Sequence, residues 1–209
     1  MANLRAINLF GESLMSHLTS SYDFFTSSGP QGEWPSFNFQ LLSSHSFEDT
    51  NNLKNLVSCF LYRVTINEHL RNKNQINGSS YKHAPLALDL HYLITVWAEE
   101  TQLEHNLLAW TMRQLHLNPI FDNSFLDSEA QWKSGEVIHI LPEELSNEDM
   151  MRIWDTLKPS YRLSVSYVAR VVRIEPDQTL DELPRVVATR YSWKDSPEDV
   201  QRNREEATP

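Results

Sequence analysis

The chain has 209 residues, 40% hydrophobic and 22% charged, a balance that suits one soluble globular domain with room for an added arm. Its formal net charge of -10 argues against a broad nucleic-acid surface, because phosphate recognition needs clustered Lys and Arg, and nucleic acid is not expected as a partner. The N-terminus lacks a signal-peptide pattern, no window reaches the roughly 18 apolar residues of a membrane span, and the single cysteine, Cys59, rules out an internal disulfide, so assembly in the cytoplasm is expected.

Residues 3–18 place Leu4, Ile7, Phe10, Leu14 and Leu18 at three- and four-residue steps, which predicts a helix packed on a sheet. Residues 19–35 mix Ser, Gly and Pro with aromatics and read as a loop. Phe37, Phe39 and Leu41 then alternate as a short strand, and LVSCFLYRVTI (56–66) reads as a strand buried on both faces for much of its length, with Cys59 inside it. From Asn67 to Pro85 the composition turns to Asn, Lys, Ser and Gly, which predicts a loop or long hairpin excursion.

LALDLHYLITVWA (86–98) is the clearest strand. Leu86, Leu88, Leu90, Tyr92, Ile94 and Val96 fall on one face, and Asp89, His91, Thr95 and Trp97 on the other. A helix is predicted from about Thr101 to Leu117, with Leu103, Leu107, Leu108, Thr111, Met112 and Leu115 on its apolar side, and Asn118-Pro119 ends it. Ser146 reads as the N-cap of a further short helix with Glu148 and Asp149 in its first turn and Met150, Ile153, Trp154 and Leu157 as its buried stripe. Residues 161–174 alternate as a second long strand, with Leu163, Val165, Tyr167, Ala169 and Val171 opposed to Arg162, Ser164, Ser166, Val168, Arg170 and Val172. The order of elements predicts an α+β domain over residues 1–176, a mixed sheet with helices packed on one side, followed by a C-terminal arm and acidic polar tail over 177–209.

The chain carries five glycines and no glycine-rich phosphate cradle, no G-x-S-x-G elbow and no H-E-x-x-H, so no catalytic residue, metal site or cofactor is assigned. Asp89 and His91 stand two apart on a strand and so share a face. A carboxylate there can orient an imidazole for general-base or metal chemistry, or the pair can form a hydrogen-bonded polar patch under the following helix or at a subunit contact; the lack of a nucleophile or third ligand favours the patch. His105 and His116 lie too far apart on their helix to share an ion. Trp34, Trp132 and Trp193 fall in predicted loop or arm, as interface anchors or folded back on their own domain.

Three segments carry a resemblance: 56–72, 84–98 with its helix 104–119, and 145–175, including the run Pro85-Leu86-Ala87-Leu88-Asp89-Leu90-His91-Tyr92. In order and spacing, over roughly residues 3–190, they resemble the N-terminal domain of the cap protein of the Photorhabdus virulence cassette and the antifeeding prophage. The resemblance implies a tail terminator with the α+β fold of contractile phage terminators: a subunit that closes as a six-membered ring on the distal end of inner tube and sheath and stops their growth, as part of a phage-tail-like particle. It implies the inner tube protein and the sheath protein as partners. The short acidic tail stands where the family has a longer C-terminal region, which sets capping alone against capping beside a second cap paralogue. Within that picture the excursion with His69, Arg71, Lys73 and Lys82 is a candidate contact to a partner ring, or a solvated hairpin. The polar face with Asp89, His91 and Trp97, and the arm with Arg185, Arg190, Tyr191 and Trp193, are candidate subunit contacts. The competing readings are an adaptor for cargo or membrane attachment and an enzyme built on Asp89 and His91.

Overall fold

The computed structural model of the chain describes residues 2–28, 34–49, 53–70, 76–77, 80–81 and 85–175. A helix, α1 (Ala6–Ser28), leads into strand β1 (Asn38–Leu42), a 3-10 turn (Ser44–Glu48) and the long strand β2 (Leu56–Ile66). The excursion that follows holds a two-residue hairpin, β3 (Ile76–Asn77) and β4 (Ser80–Tyr81). Then come β5 (Leu86–Trp97), α2 (Thr101–Leu117), β6 (Ile120–Phe121), β7 (Ile138–Glu143), α3 (Asn147–Thr156) and β8 (Ser164–Ile174). Six strands form one mixed sheet in the order β1-β2-β5-β8-β7-β6, with β1 parallel to β2 and every other pair antiparallel. The fold is thus α+β, as expected.

Alternation along β5 divides the molecule. Leu88, Leu90, Tyr92, Ile94 and Val96 face the main core, which α1 and α2 cover with Phe10, Leu14, Leu18, Leu107 and Leu115. Leu93 and Trp97 point the opposite way and pack with Leu56, Phe47 and Trp154 in a smaller cluster under α3 and the 3-10 turn. The two long helices therefore share one side, and the short α3 adds a patch on the other. The Ser146 cap is as predicted: its Oγ accepts from the Asp149 backbone N–H at 3.1 Å.

α1 runs ten residues beyond its predicted end, through the stretch read as a loop. Ser and Thr are poor helix formers because their hydroxyls compete for backbone groups. Here those hydroxyls bond back to carbonyls four residues earlier, Thr19 to Met15 at 2.8 Å and Thr26 to Tyr22 at 3.0 Å. Packing supplies the rest, since Tyr22 lies edge-on to Trp110 at 5.0 Å and donates its hydroxyl to the Pro35 carbonyl at 2.7 Å. At the other end Leu4 is 73% exposed, outside the apolar face predicted for it. On α2 the buried aromatic is Trp110, and Met112 is exposed.

β8 also departs from simple alternation. Leu88 pairs with Val172 but Asp89 pairs with Arg170, so Val171 is an inserted residue, and its φ of 70° lies in the left-handed region that β-branched residues avoid. The bulge reverses the phase of the strand: Tyr167 and Ala169 face the main core before it, Val172 and Ile174 after it. Val171 therefore does not continue the Leu163–Ala169 face, as alternation had predicted, and Val172 takes its place. Cys59 is fully buried in β2, as read from the sequence, and burial pushes its thiol far up, away from reactive thiolate.

Candidate functional site

The sheet face opposite α1 and α2 carries a polar cluster where β2, β5, β8 and β7 lie side by side. Arg63 stands opposite His91 and Thr65 opposite Asp89. Asp89 and His91 do share this face, as their spacing predicts, but the carboxylate that meets the imidazole is Glu143, the last residue of β7. His91 Nδ1 lies 2.9 Å from each Glu143 oxygen, and its Nε2 lies 2.9 Å from Thr65 Oγ1. A carboxylate can only accept, so the tautomer that satisfies this contact is Nδ1–H; Arg63 Nη2, 3.2 Å from Nδ1, donates to the same carboxylate at 2.9 Å.

Glu143 receives four donors in all: His91, the Tyr62 hydroxyl at 2.8 Å, Arg63 Nη2 at 2.9 Å and Ser166 Oγ at 3.1 Å. A carboxylate offers about four acceptor sites, so none is left for a substrate proton. Burial alone would raise the Glu143 pKa, but the hydrogen bonds from His91 and Tyr62, the adjoining His91 and the Ser166 bond outweigh it and hold the group below its ordinary value. Burial first, then the same carboxylate, pushes the Tyr62 hydroxyl up to about 12. The cluster ties four strands together and is built to stay ionised and hydrogen-bonded, which is the chemistry of a clamp.

Asp89 does separate work. Its carboxylate accepts from Asn67 Nδ2 at 3.1 Å and from the Val171 backbone N–H at 3.1 Å, so it satisfies the amide of the bulge residue. Asp89→Ala is expected to destabilise the fold by about 2 kcal/mol, because the bulge amide and Asn67 lose their acceptor. Asp89→Asn, which keeps one oxygen, is expected to cost less. Urea denaturation of the three proteins checks this ordering.

Of the remaining residues singled out in the sequence, Trp97 is 4% exposed and held inside, donating Nε1–H to Ser58 Oγ at 2.8 Å and packing at a tilt against Trp154, so it has no surface to offer a partner. His91, at 6% exposed, is likewise shielded. His69 is exposed in the turn after β2, and His105 and His116 are exposed on α2. Trp34 and Trp132 fold back against the main core. Arg71, Lys73, Lys82, Arg185, Arg190, Tyr191 and Trp193 lie outside the described residues. Sequence reasoning missed Tyr62, Arg63 and Glu143: the bulge between Leu61 and Arg63 and the distance along the chain from His91 to Glu143 hide the cluster from local pattern. Among the described residues no group of three His, Cys, Asp or Glu is placed to hold a metal ion, and no helix is long and apolar enough to cross a membrane.

The model of the Pvc16 N-terminal domain matches residues 29–188, more than half of the chain and all six strands of the main sheet. The chain belongs to the Pvc16 N-terminal domain family. Two solved structures share the fold of this family member. One is the sheath/tube terminator of the extracellular contractile injection system PVC in its extended state, with TM-score 0.51, 18% identity, and 92% of this chain and 69% of that one covered. The other is the tube-terminating cap of the anti-feeding prophage, with TM-score 0.54, 16% identity, and 99% of this chain and 68% of that one covered. No curated protein matches. Arg63, Asp89, His91 and Glu143 all lie inside the Pvc16-matching span.

Proposed function

We propose that this chain is a non-enzymatic tail-terminator subunit of a phage-tail-like contractile injection system, closing the distal end of inner tube and sheath and ending their growth. The observation that carries the reading is the Pvc16 match across the whole sheet, backed by the common fold with two solved terminators. The saturated Glu143 cluster fits it, since a carboxylate with all its acceptor sites filled serves rigidity and not turnover. Residues 1–176 form the terminator domain and 177–209 the arm.

Neighbouring copies close as a ring, six by resemblance, which requires a head-to-tail contact between unlike surfaces. The inner tube protein and the sheath protein are the further partners, with the chain capping either alone or beside a second cap paralogue. The turn at His69, with Arg71, Lys73 and Lys82 beyond it, is the proposed contact to an adjoining ring, and Arg185, Arg190, Tyr191 and Trp193 of the arm reach a neighbouring copy with whatever side chains the arm's own domain leaves uncovered. The net charge of -10 calls for basic groups on the partner surfaces. Assembly takes place in the cytoplasm. The test is direct: fluorescently labelled chain added to purified tube–sheath particles is expected at one end of each particle only. Binding along the whole length, or to an isolated cargo protein instead, would favour the adaptor.

A further inference from the structure

β1 pairs with β2 only as far as Phe60, so β2 beyond that point faces no strand among the described residues. The Asn67 backbone N–H bonds the Ala87 carbonyl at 2.9 Å, and because hydrogen-bonded pairs alternate along an antiparallel ladder, the backbone groups of Val64 and Ile66 point away from β5, out of the sheet. Their side chains face the α1 side of the sheet, yet they are 44% and 52% exposed, and Leu86 beside them is 46% exposed. An open strand edge bordered by three exposed apolar side chains is a template for another strand.

We propose that residues 186–191 of the same chain, Val-Val-Ala-Thr-Arg-Tyr, add to this edge as a strand in line with β1 and cover Val64 and Ile66. The described chain ends at Glu175, beside Ile174, which pairs with Leu86 at the border of the patch. From there the edge lies about three strand spacings away, roughly 14 Å. The ten residues 176–185 span up to about 33 Å when extended, so the reach is ample. Composition picks out the occupant: 186–191 is rich in β-branched and aromatic residues, and Pro184, which cannot donate to a ladder, falls just before it. The stretch 71–84, which leaves the same corner, carries only Ile76 and Tyr81 as large apolar residues. Tethering favours the segment's own chain over a second copy by raising its effective concentration. This inference stands apart from the cap reading.

Amide exchange on the full chain tests it, with V186D/V187D as the comparison because the pair disrupts either face of the added strand. Exchange at Val64 and Ile66 is expected to be at least about tenfold faster in the variant, with the central amide of Leu90 unchanged as the control for folding. Equal rates at Val64 and Ile66 in the two proteins overturn the proposal. A full chain carrying I66C and V187C, in which Cys59 stays buried, separates the source: an oxidised product of single-chain mass supports docking within one chain, and a covalent dimer overturns it in favour of a neighbouring copy.

Discussion

Replacing Phe10 with alanine is expected to lower the unfolding free energy by about 4 kcal/mol. Phe10 is fully buried at the point where α1 meets the sheet, 6.1 Å from the Tyr92 ring and in an edge contact with Phe121 at 5.6 Å. Truncation removes the burial of a whole ring and leaves a cavity between elements held apart by the sheet, which cannot collapse onto it. The edge contacts add their own loss. Phe10→Leu, which retains most of the volume, is expected to cost less than half as much. Denaturant midpoints of the two variants, with unchanged slopes, check both values. Equal midpoints for Phe10→Ala and the unaltered chain would place Phe10 outside the core.

The second large effect is expected at Glu143. Glu143→Ala removes the acceptor shared by His91, Tyr62, Arg63 and Ser166 and is expected to cost about 3 kcal/mol at neutral pH. The pH dependence has a fixed sign. The folded state holds Glu143 below its ordinary value of 4.5, so the stability it contributes is fully present above about pH 4.5 and fades as pH falls through the folded value. Glu143→Gln, which cannot ionise, is expected to be less stable than the unaltered chain at pH 7 and to show a shallower loss on acidification below pH 4.5. Parallel acid slopes for the two proteins would remove Glu143 from the account of acid stability.

Where burial repeats along one segment, the fold was legible. β2, β5 and α2 stand at their predicted bounds to within a residue, because each shows a long run with a single period and a clear stop, as at Asn118-Pro119. The missed features depend on contacts remote in the chain. Residues 19–28 are helical because Tyr22 is gripped by Trp110 and Phe39, which no local window reports. β7 was hidden by Pro142, which breaks most strands but is tolerated near a sheet edge with its missing donor turned outward. The reversal at Val171 was hidden because an inserted residue leaves no mark in the alternation that precedes it.

The polar site was half legible for the same reason. Strand periodicity put Asp89 and His91 on one face, and they are there. What each of them touches was decided by β7 and by the bulge in β8, so Asp89 went to a backbone amide and His91 to Glu143. Family resemblance, in contrast, rested on long uninterrupted segments and needed no tertiary detail; the Pvc16 match and the two shared folds agree with it.

The most direct test of the terminator role is electron microscopy of particles from a strain lacking this gene beside its parent. Tube–sheath particles of uncontrolled length, or particles without density at the distal end, are expected. Capped particles of normal length from the deletion strain would contradict that role.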